Sequence, residues 1–297
     1  MNTGMIKPEW MRKKIQWLNL RPMAELNTDL MLNTVCESAD CPNRSECWWR
    51  GVATFMILGN TCTRNCGFCN IDFGKPDPLD PQEPERVARA VQKLKLEHVV
   101  VTSVARDELL DQGANQFARS IEAIRRINPG ITIEVLTPDF CGKENLIQIV
   151  VDAKPEIFNH NIETIARLTP TVRFKATYSR SLNFLQTIKQ MDAGIFTKSG
   201  MMLGLGETFD EVVESMKDLR SVGCEILTIG QYLPPSSKHL PLVEYIHPDI
   251  FKKYEVLGQE LGFLSVASGP YIRSSYNADE IFASIKDSAK MASELYG

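Results

Sequence analysis

From about residue 53 onward, the apolar positions follow two alternating periods. Short runs rich in Val, Ile, Thr and Phe, bounded by Gly, Pro or Asn, read as strands. They are ATFMILG (53–59), HVVVTSV (98–104), ITIEVLTP (131–138), EIFNHNIE (156–163), IFTKSGMML (195–203), EILTIGQYL (225–233) and FLSVAS (263–268). Between them apolar residues recur at helical spacing over 83–97, where Val87, Ala90, Val91 and Leu94 share a face. The same spacing recurs over 115–127, 143–153, 181–193, 208–223 and 247–262. Strand alternating with helix implies a parallel sheet. Polar residues gather just after the strands: Arg106 and Asp107, Asn159 to Glu163, Lys198 to Gly200, Gln231 and Tyr232. Barrel enzymes build their active sites from loops at the strand C-terminal ends. The pattern therefore favours a (β/α) barrel, complete or partial, over an open doubly wound sheet. Residues 1 to about 52 do not alternate in this way and read as an N-terminal extension.

Composition narrows the class. The chain has 297 residues, 43% hydrophobic and 24% charged, as a globular domain has. A core of that size needs no disulfides. The formal charge of -4 gives no basic footprint for nucleic acid. No run approaches the roughly 18 apolar residues of a membrane span, and the N-terminus lacks a signal-like apolar segment. The expected compartment is a reducing cytoplasm, where clustered cysteines are metal ligands or reactive thiols rather than disulfides.

Six of the eight cysteines lie between positions 36 and 69, in two triplets: Cys36, Cys41, Cys47, and Cys62, Cys66, Cys69. The second triplet, C-x3-C-x2-C, directly follows the first strand of the alternating region. Three thiolates in one loop can hold three irons of a [4Fe–4S] cluster and leave the fourth iron open. Zinc is the alternative, but zinc usually shows paired cysteine units. The first triplet, C-x4-C-x5-C, has the same shortage and the same zinc alternative. Cys141 and Cys224 stand alone, and each reads as a small buried apolar residue.

C-x3-C-x2-C with Phe68 before its last cysteine resembles the signature of radical S-adenosylmethionine (radical SAM) enzymes. The upstream triplet together with RSSY (273–276) is more specific and resembles the lipoyl synthase family. The resemblance extends through SVARDELLDQGA (103–114), NHNIET (159–164), KSGMMLGLGE (198–207), TIGQYLPPS (228–236) and GPYIRSSYNAD (269–279). It implies a partial (β/α)6 TIM-type barrel of the α/β class over 53–268. An extension over 1–52 would carry one cluster, and a segment over 269–297 would close over the site. It implies two [4Fe–4S] clusters, one on Cys62, Cys66 and Cys69 with S-adenosylmethionine on its open iron. The other would sit on Cys36, Cys41 and Cys47 with Ser274 as fourth ligand, Ser275 being second choice. Local sequence alone reads both serines as a turn or cap before a helix. The implied activity is a sulfurtransferase reaction, two sulfurs entering a protein-bound octanoyl group, with the second cluster consumed as sulfur donor.

The implied partners are an octanoylated lipoyl-domain or H-protein, an electron donor such as flavodoxin or ferredoxin, and an iron–sulfur carrier. Nucleic acid, membrane and oligomerisation are not implied. Phe68, Arg106, Asn161, Glu163 and Lys198 are the cofactor-contact candidates. Arg106 has a carboxylate-matching fork, yet a salt bridge with Asp107 or Glu108 explains it as well. His160 reads as a packed histidine. GLGET (204–208) reads either as a loop against a cofactor edge or as a tight turn with Thr208 as N-cap. Met201, Met202 and Leu203 read as barrel core, and Trp48 and Trp49 as shields for the first triplet or ordinary packing. The rivals are a biotin-synthase-like or methylthiotransferase-like radical enzyme, and a zinc-stabilised binding protein without catalysis.

Overall fold

The computed structural model describes residues 6–12, 20–50 and 52–285. The helix expected from 277 onward is described only as far as 285, where 278–285 is helical. Ten strands are described: β1 (Asn33–Thr34), β2 (Thr54–Ile57), β3 (Thr61–Cys62), β4 (Asp72–Phe73), β5 (His98–Ser103), β6 (Thr132–Leu136), β7 (Ile157–Asn159), β8 (Phe196–Leu203), β9 (Ile226–Gln231) and β10 (Ser265–Gly269). The main sheet runs β1-β2-β5-β6-β7-β8-β9-β10, and β3 pairs with β4 separately. Every neighbouring pair from β2 to β10 is parallel, whereas β1 joins β2 antiparallel.

The helices of the extension are α1 (Arg21–Asp29), α2 (Val35–Ser38) and α3 (Arg44–Trp49). Those of the repeats are α4 (Glu83–Leu94), α5 (Ala114–Ile127), α6 (Glu144–Asp152), α7 (Thr169–Val172), α8 (Tyr178–Met191), α9 (Phe209–Ser221) and α10 (Pro248–Glu260). Six strand-to-helix units, from β2–α4 to β9–α10, are followed by β10. Among the described residues the strands form no closed ring, so the barrel is partial, as expected. No helix among the described residues is long and apolar enough to cross a membrane.

The two periods explain the layers. Val99, Val101, Ile133, Val135 and Phe158 pack outward on Val87 and Val91 of α4 and on Phe117, Ile121 and Ile124 of α5. Burying one such side chain contributes roughly 1.5–3 kcal/mol. Met201, Leu203, Leu227 and Ile229 likewise pack on Val212 and Met216 of α9 and Phe251 of α10. Thr208 caps α9 in a capping box with Glu211, as its sequence suggests. The alternate positions face the lumen by the pleat of the strands. They include Thr54, Glu134, Asn159, Lys198, Gly200, Thr228 and Gly230, a polar and small-residue set in an otherwise apolar sheet.

Candidate functional site

The mouth of the barrel is built around the loop after β2. Cys62, Cys66 and Cys69 are free, partly exposed thiols there. Gly67 and Phe68 form the centre of a turn in which Cys69 N donates to Cys66 O at 3.1 Å. Other β–α loops hold this loop in place. Thr63 N donates to Ala105 O, Leu240 N to Gly67 O and Gly67 N to Val172 O. His239 Nε2 lies 3.1 Å from Cys69 O, and Lys175 Nζ donates to Thr63 O at 2.9 Å.

Arg64, between the first two cysteines, is 8% exposed. Its guanidinium donates to Asp107 at 2.8 Å and pairs with Asp139 at 2.7 Å. Asp139 also accepts from Arg180 at 3.0 Å. Burial pushes the Asp139 carboxyl up, but Arg64 and its cationic neighbours outweigh it and bring it down to about 2. Nothing in the local sequence marks Arg64, Asp139 or Arg173 as parts of one network. Each is a single polar residue in a loop.

Burial pushes the Cys66 thiol up to about 11 and Cys69 up to about 12. Arg173 counters this at Cys66, and Glu163 adds to it. Arg173 is buried and donates to Asn161 O. Glu163, its carboxyl pushed up by burial, accepts from Asn161 Nδ2 at 3.1 Å. Asn161, Glu163 and Arg173 therefore stand together beside Cys66. His160 does not join them as a ligand. It is buried between Thr137 O at 2.9 Å and Ser181 Oγ at 3.0 Å.

Two cofactor candidates are fully engaged with protein groups. Arg106 pairs with Glu108 at 2.6 Å and donates to Leu58 O and Asp77 O, so the salt-bridge alternative describes it. Lys198 is 1% exposed on the lumen side and pairs with Glu134 at 2.9 Å. In GLGET, Glu207 accepts the amide protons of Gly204 and Leu205, which makes the segment a self-satisfied turn. Met201 and Leu203 face the helices as core, whereas Met202 is half-buried. Cys224 is buried core as expected, but Cys141 is exposed, in correction of the buried reading. It lies on a rim turn, with φ of +52°, where Arg64 approaches its sulfur at 3.7 Å.

The first triplet lies at the other end of β2. Strand β1 pairs Thr34 with Phe55 and so sets Cys36, the second residue of α2, beside Thr54. The Thr54 backbone steadies the Cys36 thiol, which burial and Cys41 push up to about 11. Cys47 lies in α3, whose Trp48 is buried against Cys36, while Trp49 is 72% exposed. Only Trp48 is placed to shield the triplet.

The C-terminal segment returns here. Asn43 Nδ2 donates to Tyr271 O at 2.7 Å across 228 residues of sequence. Tyr276 OH donates to Glu46 at 2.7 Å, and Arg273 acts electrostatically on Cys41. Close approach requires Gly230, because a Cβ there would lie 2.1 Å from Ile272 O. Ser274 and Ser275 form the centre of a turn, Tyr276 N donating to Arg273 O at 3.0 Å. Their side chains part company. Ser275 Oγ accepts from Thr54 Oγ1 at 2.8 Å, and Ser274 Oγ lies between Asn159 and Asn161 in the lumen.

The donor sets suit iron–sulfur clusters. All six thiols are free, and thiolates are the usual cluster ligands. Among the described residues, no three His, Cys, Asp or Glu side chains crowd closely enough to grip one metal ion. Zinc wants all its sulfurs about 2.3 Å from a single ion.

The family model of the radical SAM superfamily matches residues 56–219. The chain is 55% identical to a lipoyl synthase of Caldanaerobacter subterraneus, over 92% of this chain and 96% of that one. It is 47% identical to a lipoyl synthase of Treponema denticola, over 94% and 96%. Among solved structures it is similar to a methylornithine synthase, with TM-score 0.56 and 12% identity over 90% of this chain and 92% of that one. The FeFe-hydrogenase maturase of Carboxydothermus hydrogenoformans also has TM-score 0.56, with 13% identity over 91% and 80%. These structural likenesses speak for the fold alone.

Proposed function

The chain belongs to the lipoyl synthase family of the radical SAM superfamily, and on that premise we propose how its residues divide one reaction. The reaction inserts two sulfur atoms into a protein-bound octanoyl group, at its sixth and eighth carbons. Cys62, Cys66 and Cys69 hold the mouth [4Fe–4S] cluster. Cys36, Cys41, Cys47 and Ser274 hold a second one at the floor, which serves as the sulfur substrate. A cluster held there would supply the one-electron chemistry by which S-adenosylmethionine is cleaved, the radical chemistry that an unactivated carbon requires.

The single observation that carries this division is the return of residues 271–276 to the first triplet. Strand β2 separates that triplet from the mouth by roughly 10 Å along its length, at about 3.3 Å per residue. Ser274 is chosen over Ser275 on the family resemblance; its oxygen faces the lumen between Asn159 and Asn161, and that of Ser275 faces Thr54.

Asn161, Glu163 and Phe68 line the cofactor position near Cys66. Glu163 offers a carboxylate to an ammonium group, and Arg173 balances its charge. Arg106 and Lys198 build the walls. Arg64 holds the cluster loop rigid against Asp107 and Asp139, which preserves the geometry of its three thiolates. The extension (1–52), barrel (53–268) and closing segment (269–297) thus contribute separate parts. The reading calls for an octanoylated lipoyl-domain or H-protein, a flavodoxin- or ferredoxin-like donor and an iron–sulfur carrier.

The test is anaerobic incubation of the iron-loaded chain with an octanoylated lipoyl-domain peptide and S-adenosylmethionine. The peptide mass should rise by two sulfurs less the hydrogens they replace. A loaded chain with roughly eight irons that cleaves S-adenosylmethionine yet leaves the peptide mass unchanged sinks the reading.

A further inference from the structure

The lumen wall that Lys198 helps to build contains a buried ion pair. Lys198 and Glu134 are 1% and 0% exposed, and Lys198 Nζ reaches both carboxylate oxygens, at 2.9 and 3.0 Å. A buried pair is weak evidence for stability, because desolvation opposes the attraction. Its geometric consequence is clear. Asn159, fully buried, donates from Nδ2 to Glu134 Oε1 at 3.0 Å and to Ser274 Oγ at 2.8 Å. Glu134 can only accept, so the amide nitrogen must face it, and its second N–H is thereby aimed at the serine. Asn159 Oδ1 has no hydrogen-bond partner among the described residues, so nothing else sets the amide's orientation. Ser274 Oγ in turn donates a hydrogen bond to Asn161 Oδ1 at 3.0 Å. Gly200 leaves room for this, since a Cβ there would lie 2.8 Å from Asn161 Oδ1.

We propose that Asn159, aimed by the Glu134–Lys198 pair, is a positioning residue that presents Ser274 Oγ to the floor cluster and stabilises its charge when it is a ligand. An oxygen ligand to iron carries negative charge, and an N–H directed at that oxygen strengthens it as such partners do around other metal ligands. The inference rests on the reading of Ser274 as fourth ligand.

The test uses the full-length chain with Cys62, Cys66 and Cys69 replaced by Ala, so that only the floor triplet is loaded. Mössbauer spectra and the rate of iron removal by a chelator are the readouts. Ser274→Ala should erase the distinct signature of the oxygen-bound iron and speed iron loss. Asn159→Ala should shift the same signature and speed loss by about 10- to 100-fold, with no added effect in the Ser274→Ala background. Glu134→Gln should move both readouts the same way by less. If Asn159→Ala misfolds by circular dichroism, Asn159→Asp keeps the shape and replaces the donor with an acceptor.

Wild-type behaviour of the Asn159 variant beside an altered Ser274→Ala overturns the positioning role. Equal acceleration with and without Ser274 overturns it too, because it marks a merely structural part. If Ser274→Ala changes nothing, Ser274 is not the ligand, and the inference falls with that reading.

Discussion

The mouth and the floor solve the same chemical problem, three cysteines for a four-iron cluster, in opposite ways. The mouth triplet spans eight residues of one loop, and other loops merely hold that loop still. The floor triplet spans two short helices and the turn between them, and its remaining partners come from the far end of the chain. A site contained in one loop survives changes elsewhere. A site closed by distant segments depends on every contact that brings them together. The ion pairs differ in the same way: those of the mouth join Arg64, Asp107, Asp139 and Arg180, all from the barrel, whereas Arg50 pairs with Asp279 and Glu280 and so ties the extension to the closing segment.

The sharpest separation comes from the cysteines themselves. Replacing Cys62, Cys66 and Cys69 by Ala should abolish formation of 5′-deoxyadenosine and leave roughly four irons per chain at the floor. Replacing Cys36, Cys41 and Cys47 should leave roughly four at the mouth, with cofactor cleavage retained and sulfur insertion lost. Iron analysis and product mass check both. If either set removes all iron, the two sites are not independent.

A smaller effect should come from Gly230→Ala. The new methyl would meet a backbone oxygen, Ile272 O, which cannot rotate away as a side-chain tip can. Overpacking of this kind costs about 1–3 kcal/mol, and the strain falls on the closing segment. Floor iron should drop while mouth iron and cofactor cleavage persist. Loss from both sites alike would dissolve the contrast.

The mildest handle is pH. Burial, then Arg173, draws His160 down from 6.5 to about 4. The unfolded chain therefore binds the extra proton first. The stability His160 contributes is present above pH 6.5 and is lost as pH falls through about 4, by up to about 3 kcal/mol. Burial pushes Glu134 up, but Lys198 and His98 outweigh it, and it falls from 4.5 to about 2. Its contribution is present above pH 4.5 and is lost only as pH falls through about 2. Acidification should thus loosen the mouth before the floor. Hydrogen exchange of the cluster-free chain checks the order, and His160→Gln should flatten the upper part of the pH profile.

Much of this was legible beforehand, for identifiable reasons. The β5 run, His98–Ser103, is rich in β-formers, with three Val and a Thr in six residues, and α5 keeps its apolar stripe for 14 residues. Such patterns survive any tertiary context. The extension was not legible as structure, because α2 and α3, at four and six residues, are too short to show a period. Arg106 and Lys198 look functional in the sequence, and in the structure their charges face other protein groups, Glu108 and Glu134. A charged residue at a strand end does not announce its partner. Ser274 and Ser275 do lie in the turn that local sequence suggests, and it is their side chains that reach elsewhere.

By itself, the sequence determined the alternation of strand and helix and the side of each strand that packs on a helix. It also determined the placing of one cysteine triplet in the loop after the first barrel strand. Those properties depend on residues a few positions apart, where the chain's own geometry sets who can meet. Only the tertiary structure decided that the turn holding Ser274 returns to the segment of Cys36, Cys41 and Cys47, through Asn43 with Tyr271 and Glu46 with Tyr276. Only it decided that Glu134, Asn159 and Lys198, on three successive strands, form one hydrogen-bonded path to that serine. Contacts across a barrel lumen join residues from 25 to 115 positions apart. Such contacts are fixed by strand register and by the closure of the whole sheet, and no local pattern encodes either.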